Sequence, residues 1–114
     1  MDDQVLDVLA RYFRALSEPL RLKILDSLRD EPMNVGQLTQ RLGCSQANVS
    51  KHLSVLMDVG LVEREARGTT AWYRFADPEV YELCDVVCGQ VGRRLATSSH
   101  LRGLLTAMAE RHRA

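Results

Sequence analysis

Gly43 divides the middle of the chain into two short segments, each with the apolar spacing of a helix. Asn34 can cap the segment before it, and glycine is the residue that most often follows the end of a helix. Ser45 can cap the segment after it, in which apolar residues recur on one face. Two short helices joined by a tight turn predict a helix-turn-helix over residues 34 to 58.

Apolar spacing also predicts a helix over residues 3 to 16 and another from Ser17 to about residue 30. Ser17 can cap the second of these, and Pro19 is tolerated in its first turn. This helix has a broad apolar face, so we expect it to lie at the centre of the core. The apolar positions are Leu20, Ile24, Leu25 and Leu28, with Leu22 at the edge.

Two short strands follow the helix-turn-helix. Residues 61 to 66 and 71 to 75 have strand character, which predicts a β-hairpin with a longer loop, a wing over about residues 61 to 76. Asp77 as a cap and Pro78 in the first turn open a last helical region, which is one helix or two depending on a break at Thr97, Ser98 and Ser99. The predicted fold class is mainly α with a small β-hairpin, a winged helix-turn-helix.

A length of 114 residues is short for more than one domain, so we expect one winged-helix domain over residues 1 to 114. With 46% hydrophobic and 26% charged residues, the composition excludes a disordered or collagen-like chain. The acidic start at Asp2 and Asp3 differs from a signal peptide, and no apolar run reaches the roughly 18 residues of a membrane span. These features predict a cytoplasmic protein without a membrane partner.

The charge of the chain is unevenly distributed. Fifteen basic and fifteen acidic residues give a formal net charge of zero, which excludes nucleic-acid binding through bulk positive charge. Residues 34 to 76 nevertheless hold five basic and three acidic residues, whereas the first thirty hold five and six. The centre of the chain is therefore the part suited to meet an anion.

The second helix of the pair has an apolar inner face and a polar outer face. Asparagine and glutamine match adenine in the DNA major groove, whereas serine, lysine and the amides of a helix N-terminus suit phosphate. A basic wing is suited to the DNA backbone or the minor groove. The candidate DNA-binding residues are Ser45, Gln46, Ala47, Asn48, Ser50, Lys51 and His52 in the helix and Arg64, Arg67, Thr69 and Thr70 in the wing.

Other interpretations of this pattern stay open. The polar face can be merely solvated, and a winged helix can serve as a protein-protein interaction module without DNA binding. An enzyme that uses Cys84 and Cys88 for thiol exchange is disfavoured, because the chain has no Cys-x-x-Cys motif and no acid-base constellation beside the pair. We therefore expect no enzymatic activity.

Two stretches of the chain are more specific than a helix-turn-helix in general. They read Ala-Leu-Ser-Glu-Pro-Leu-Arg-Leu-Lys-Ile-Leu at residues 15 to 25 and Gly-Cys-Ser-Gln-Ala-Asn-Val-Ser-Lys-His-Leu at residues 43 to 53. In these stretches, and in Gly60-Leu61-Val62, Tyr73-Arg74 and Asp77-Pro78, the chain resembles the ArsR (arsenical-resistance-repressor) family of bacterial winged-helix regulators. The resemblance covers roughly residues 10 to 95.

This resemblance implies a homodimer that represses transcription at an inverted-repeat operator in double-stranded DNA. It also implies dimerisation helices at about residues 3 to 16 and 78 to 112, and release by an inducer or a modification. The apolar faces at residues 6 to 16 and 80 to 95 are suited to form the dimer interface, the dimer seam. Alternatively, they close the core of a monomer.

Members of the resembled family sense soft metals, metalloids or thiol-modifying agents, but two of their known sites do not carry over. The paired cysteines of the arsenic sensors have no counterpart, because Gly36, Gln37 and Thr39 occupy that neighbourhood. The second site uses an Asp-x-His pair on the last helix. It is also missing, because Val87 occupies the position of the histidine two residues after Asp85. His100 and His112 are too far apart for chelation by one helix.

Cys84 and Cys88 are the tentative metal or redox sensing residues. Spaced by four, they share a helix face and could offer two thiolates to a soft metal ion or As(III), given a third ligand from elsewhere. They also continue an apolar stripe, so simple packing is an equal alternative. Cys44 precedes a helix N-terminus, which can make a thiol reactive, but many residue types would serve in that turn. A regulator without any sensor stays open as well.

Overall fold

A computed structural model of the chain describes residues 2 to 95 and 99 to 111. Its contacts form two compact units, residues 1 to 77 and 78 to 114. The first unit holds α1 (Asp3–Ala15), α2 (Pro19–Leu28), β1 (Met33–Asn34), α3 (Val35–Leu42), α4 (Gln46–Asp58), β2 (Val62–Arg67) and β3 (Thr70–Phe75), and the second holds α5 (Glu79–Arg94) and α6 (Ser99–Arg111). This element order confirms the predicted fold class.

Local capping defines the helix-turn-helix. The side chain of Asn34 accepts a hydrogen bond from the Gln37 amide, and the Gln37 side chain accepts one from the Asn34 amide, so that a capping box starts α3. Gly43 then adopts φ 66° and ends α3 in the left-handed conformation that favours glycine. Ser45 caps α4 directly afterwards. All three residues act as the sequence predicts.

The sheet has three antiparallel strands in the order β1-β3-β2, one more than the predicted hairpin. The additional strand pairs Met33 with Tyr73 across the chain. The predicted longer loop is also wrong, because Arg67 pairs with Thr70 and leaves a two-residue turn. Gly68 opens that turn at φ 64°, a positive value that favours glycine.

The core of the first unit forms where α2, α3 and α4 meet the sheet. The predicted inner face of α4 is confirmed, because Val49 is fully buried together with the other apolar residues of its stripe. Leu22 is 47% exposed at the edge of α2, as predicted. The largest fully buried side chains are Ile24, Leu38, Leu53, Leu56, Leu61 and Val49.

Two predicted caps are wrong. Glu18, not Ser17, caps α2, because its carboxylate accepts from the amides of Leu20 and Arg21. The Ser17 hydroxyl instead donates to the carbonyl of Arg14 at the end of α1. At α5 the capping position is Pro78, which offers no side-chain acceptor, rather than the predicted Asp77.

The second unit is a pair of helices, which settles the C-terminal region as two helices rather than one. Gly92 permits a close approach between them, since a Cβ at this position would lie 3.3 Å from the carbonyl oxygen of Arg102. Of the predicted break, Thr97 and Ser98 lie outside the described residues, and Ser99 begins α6. Across the described ranges, no helix combines the length and the apolar character that a membrane crossing requires.

Candidate nucleic-acid interface

Helix α4 is fixed at its start and along its inner side. The Ser45 hydroxyl accepts a hydrogen bond from the Asn48 amide at 3.1 Å. The first amides of a helix have no intrahelical acceptor and carry the positive end of the helix dipole, so this end of α4 suits an anion. The buried stripe then determines which side of the helix faces outwards.

The outer side of α4 is exposed, and several of its polar side chains are unpaired. The side chains of Gln46, Asn48 and Lys51 take part in none of the hydrogen bonds or ion pairs found among residues 2 to 95 and 99 to 111. Amides and an ammonium group in this state can bind a new partner without first breaking an existing bond. The exposed residues of this surface, hereafter the α4 surface, are Ser45, Gln46, Ala47, Asn48, Ser50 and Lys51.

His52 does not belong to the α4 surface, which corrects its prediction as a DNA-binding residue. It is only 7% exposed, because it stands three residues after Val49 and lies on the flank of the buried stripe. Its Nδ1 lies 3.2 Å from Nη1 of Arg21, and its Nε2 lies 3.7 Å from a carboxylate oxygen of Glu18. His52 therefore joins α4 to α2.

The wing carries opposite charges on one of its faces. Arg74 donates to Glu63 across the two strands at 2.8 Å, and its Nη1 lies 3.8 Å from a carboxylate oxygen of Glu65. Arg67 lies 3.4 Å from Glu65 and 5.2 Å above the ring of Trp72. The positive charges of Arg67 and Arg74 are thus paired with carboxylates within the wing.

Arg64 is different from these wing residues. It alternates with Glu63 and Glu65 along β2, so it lies on the opposite face of the strand. Its side chain is exposed and makes no hydrogen bond or ion pair within the described part of the chain. Thr69 and Thr70 are exposed at the tip. These three predicted residues therefore lie on accessible parts of the wing.

Sequence reasoning missed two groups that shape this region. It did not find the stacking of Arg67 on Trp72, although strand alternation places both on one face. It also missed the contact of Arg21 with His52, which joins two segments far apart in the sequence. No spacing rule along the chain signals the second contact.

The predicted sensing cysteines lie one helical turn apart in α5. Cys84 and Cys88 are half-buried thiols, and each makes an interaction in the structure. Among the described residues no group of three histidine, cysteine or acidic side chains is placed to hold a metal ion. His100 is exposed in α6, and His112 lies outside the described residues. Cys44 is half-buried beside the start of α4.

Comparison of the sequence with known families matches residues 18 to 64 to the model described as "Bacterial regulatory protein, arsR family". A probable mercury resistance operon repressor of Streptomyces lividans is 39% identical over 77 residues, which is 68% of this chain and 62% of that protein. The HTH-type transcriptional regulator NmtR of Mycobacterium tuberculosis is 36% identical over 85 residues, 75% of this chain and 71% of that protein. The chain thus spans less than two thirds of the first relative.

Solved structures show the same architecture. The homodimeric winged helix-turn-helix DNA-binding domain of Mb0332 from Mycobacterium bovis, a possible ArsR-family transcriptional regulator, aligns with a TM-score of 0.76 at 32% identity. The alignment covers 86% of this chain and 91% of that domain. NolR from Sinorhizobium fredii aligns with a TM-score of 0.68 at 30% identity, covering 84% of this chain and 92% of that one. These structures confirm the winged helix-turn-helix fold.

Proposed function

The chain belongs to the ArsR family of bacterial regulatory proteins, and from this premise we propose that it is a homodimeric repressor that binds an inverted-repeat operator in double-stranded DNA. The observation that carries the proposal is the α4 surface, which is exposed and presents the unpaired side chains of Gln46, Asn48 and Lys51 opposite a fully buried stripe.

In the proposed complex the N-terminal half of α4 enters the major groove. Gln46 and Asn48 meet base edges there, and small Ala47 allows a close approach. Ser45 and Lys51 meet phosphates, together with the free amides at the helix start. In the wing, Arg64 is the cation most available for the DNA backbone, since Arg67 is shared with Glu65 and Trp72.

The dimer proposed here uses the apolar side of α1 and the helices of the second unit. Leu9 and Phe13 in α1 are 41% and 55% exposed, and Val87 and Val91 in α5 are 47% and 42% exposed. Exposed apolar stripes of this kind mark interaction surfaces. The homodimeric state of the Mb0332 domain supports a second copy of this chain as the partner.

We propose further that a soft metal ion, As(III) or modification of Cys84 and Cys88 releases the operator. The name of the Streptomyces lividans relative links it to mercury resistance, and thiolates are the ligands that soft ions prefer. The two thiols lie on one face of α5 and need a third ligand, which the described residues of one chain do not place beside them.

The test is fluorescence anisotropy of the reduced protein on the DNA upstream of its own gene, at low and high salt. Hg(II), As(III), Cd(II), Zn(II) and a persulfide donor are added in turn. We expect salt-sensitive binding and release by at least one additive. The Cys84→Ser, Cys88→Ser variant should bind equally and resist release, whereas the matched Cys44→Ser variant should respond like the wild type.

The possible outcomes separate the parts of this proposal. No specific binding at low salt would overturn the repressor function and favour a protein-protein interaction module. Binding that no additive reverses would leave the repressor but make Cys84 and Cys88 packing residues.

A further inference from the structure

The guanidinium group of Arg21 contacts two other helices of the first unit. Its Nε donates to the carbonyl oxygen of Ala15 at 2.7 Å, and its Nη2 donates to that of Arg14 at 3.1 Å. These are the last two residues of α1, where the helix dipole favours a cation, and the Arg14 carbonyl also accepts from the amide and the hydroxyl of Ser17. The remaining Nη1 lies 3.2 Å from Nδ1 of His52 in α4.

The contact between Arg21 and His52 is a hydrogen bond in only one tautomer of the imidazole. A guanidinium group has only donors, so the contact is a hydrogen bond only when Nδ1 of His52 accepts. The ring proton then lies on Nε2, which faces a carboxylate oxygen of Glu18 at 3.7 Å. The same Glu18 oxygen accepts the amides of Leu20 and Arg21 at 3.0 and 3.3 Å. The two ring nitrogens of His52 thus face Arg21 and Glu18, both at the start of α2.

Helix α1 has little else to fix its orientation. Ala15 is the single buried residue found in α1, and the helix does not pack extensively on another element of the first unit within residues 2 to 77. An open cleft of about 530 Å³ is lined by Arg14 of α1 and by Val55 and Asp58 of α4. Arg21 lines the same cleft and bridges the two helices with its three bonds.

We propose that Arg21 is a positioning residue that couples α1 to α4 and so sets the distance between the two α4 helices of the dimer. This inference rests on the proposed function, in which α1 joins two copies of the chain. Half-sites of an inverted repeat lie about one turn of DNA apart, roughly 34 Å, and each must receive one recognition helix. The angle that Arg21 holds between α1 and α4 determines whether both helices reach their half-sites.

Arg21 acts on binding without touching DNA in this scheme. His52 stands six residues after Gln46, about 9 Å along the helix axis from the end that enters the groove. Loss of Arg21 therefore leaves the α4 surface unchanged and affects only its placement. Affinity for a single half-site depends on the α4 surface alone. Affinity for two half-sites depends also on how the two α4 helices of the dimer are placed.

The experiment compares three kinds of duplex taken from the DNA upstream of the gene: both half-sites, one half-site, and both half-sites with one to three base pairs inserted. For Arg21→Ala we expect about tenfold weaker binding to the two-half-site duplex, as for other lost hydrogen bonds of a charged group. Binding to one half-site should change less than about twofold. Affinity should also depend less on the number of base pairs between the two half-sites.

Matched variants distinguish coupling from damage to the fold. His52→Leu should reproduce Arg21→Ala, whereas His52→Asn, which keeps an acceptor near the position of Nδ1, should bind nearly as the wild type does. Arg11→Ala is the control, since the Arg11 side chain lines the same cleft without a hydrogen bond or ion pair among the described residues. Equal losses on one and two half-sites, or an unchanged spacing preference, would overturn the proposal.

Hydrogen exchange without DNA tests the coupling of α1 to α4 separately from the repressor function. In Arg21→Ala the amides at the end of α1 and around His52 in α4 should both exchange faster, and in Arg11→Ala neither should. Unchanged exchange in Arg21→Ala would overturn the coupling even if the protein represses transcription. A wild-type protein that binds no duplex would overturn the repressor function, and the exchange measurement would still decide the coupling.

Discussion

The hydroxyl oxygen of Ser45 accepts a hydrogen bond from the backbone amide of Asn48 at 3.1 Å, at the point where α4 begins. Ser45 is also exposed, at the end of the α4 surface. One side chain thus determines where the helix starts and faces the proposed position of a DNA phosphate. These two roles respond differently to substitution.

Ser45→Asp should keep the fold and lose DNA binding. Aspartate caps helices as well as serine does, so we expect the free energy of unfolding to change by only a few tenths of a kcal/mol. The added carboxylate repels phosphate, and affinity for DNA should fall at least about tenfold. Ser45→Ala should instead lower the free energy of unfolding by about 1 kcal/mol. Urea denaturation and anisotropy measure the two effects, and full binding by Ser45→Asp would contradict the proposed docking.

Lys51→Gln should reduce the salt dependence of DNA binding. Each phosphate neutralised by a cation contributes about one unit to the slope of log K against log salt concentration, so the slope should decrease by about one. Lys23 is the only other lysine of the chain, and it is exposed on α2, outside the α4 surface. Lys23→Gln carries the same charge change and should leave the slope unaltered. If the slope for Lys51→Gln equals that for Lys23→Gln, Lys51 does not contact a DNA phosphate.

Local signals account for the parts of the fold that the sequence predicted. Asn34, Gly43 and Ser45 act within one or two helical turns, and the buried stripe of α4 follows from spacing alone. The accessible residues of the α4 surface follow from the same rotation of about 100° per residue. Such features depend on neighbours along the chain, so residue types at fixed intervals identify them.

The parts that were not predicted depend on contacts between distant segments. Strand β1 has two residues and exists because Met33 pairs with Tyr73, forty positions later. His52 has the residue type of a DNA contact, but it lies on the flank of the buried stripe and its ring nitrogens face Arg21 and Glu18 of distant segments. Glu18 rather than Ser17 caps α2, because the helix begins at Pro19 and the Ser17 hydroxyl is bonded to the carbonyl of Arg14 at the end of α1. Residue type alone does not determine these outcomes.

Trp72 should report DNA binding through its fluorescence. It is the only tryptophan of the chain, and the guanidinium carbon of Arg67 lies 5.2 Å from its ring centroid. If a phosphate attracts Arg67, the cation leaves the ring and the emission changes. We expect this change on titration with duplex, and a much smaller one for Arg67→Gln, which should also lose about 0.5 to 1 kcal/mol of stability. Constant emission at saturating DNA would mean that Arg67 stays on Trp72 and does not contact the operator.

Leu9→Glu should separate the dimer while leaving the fold of each chain intact. Leu9 is 41% exposed in the single chain, so a charge there costs the monomer little, whereas burial of a leucine in an interface contributes about 1.5 to 3 kcal/mol per copy. The dimer dissociation constant, measured by sedimentation, should therefore rise more than about tenfold. Leu22→Glu is the matched control, because Leu22 is 47% exposed on α2, outside the apolar side of α1. An unchanged dissociation constant for Leu9→Glu, or an equal rise for Leu22→Glu, would show that α1 does not form the dimer seam.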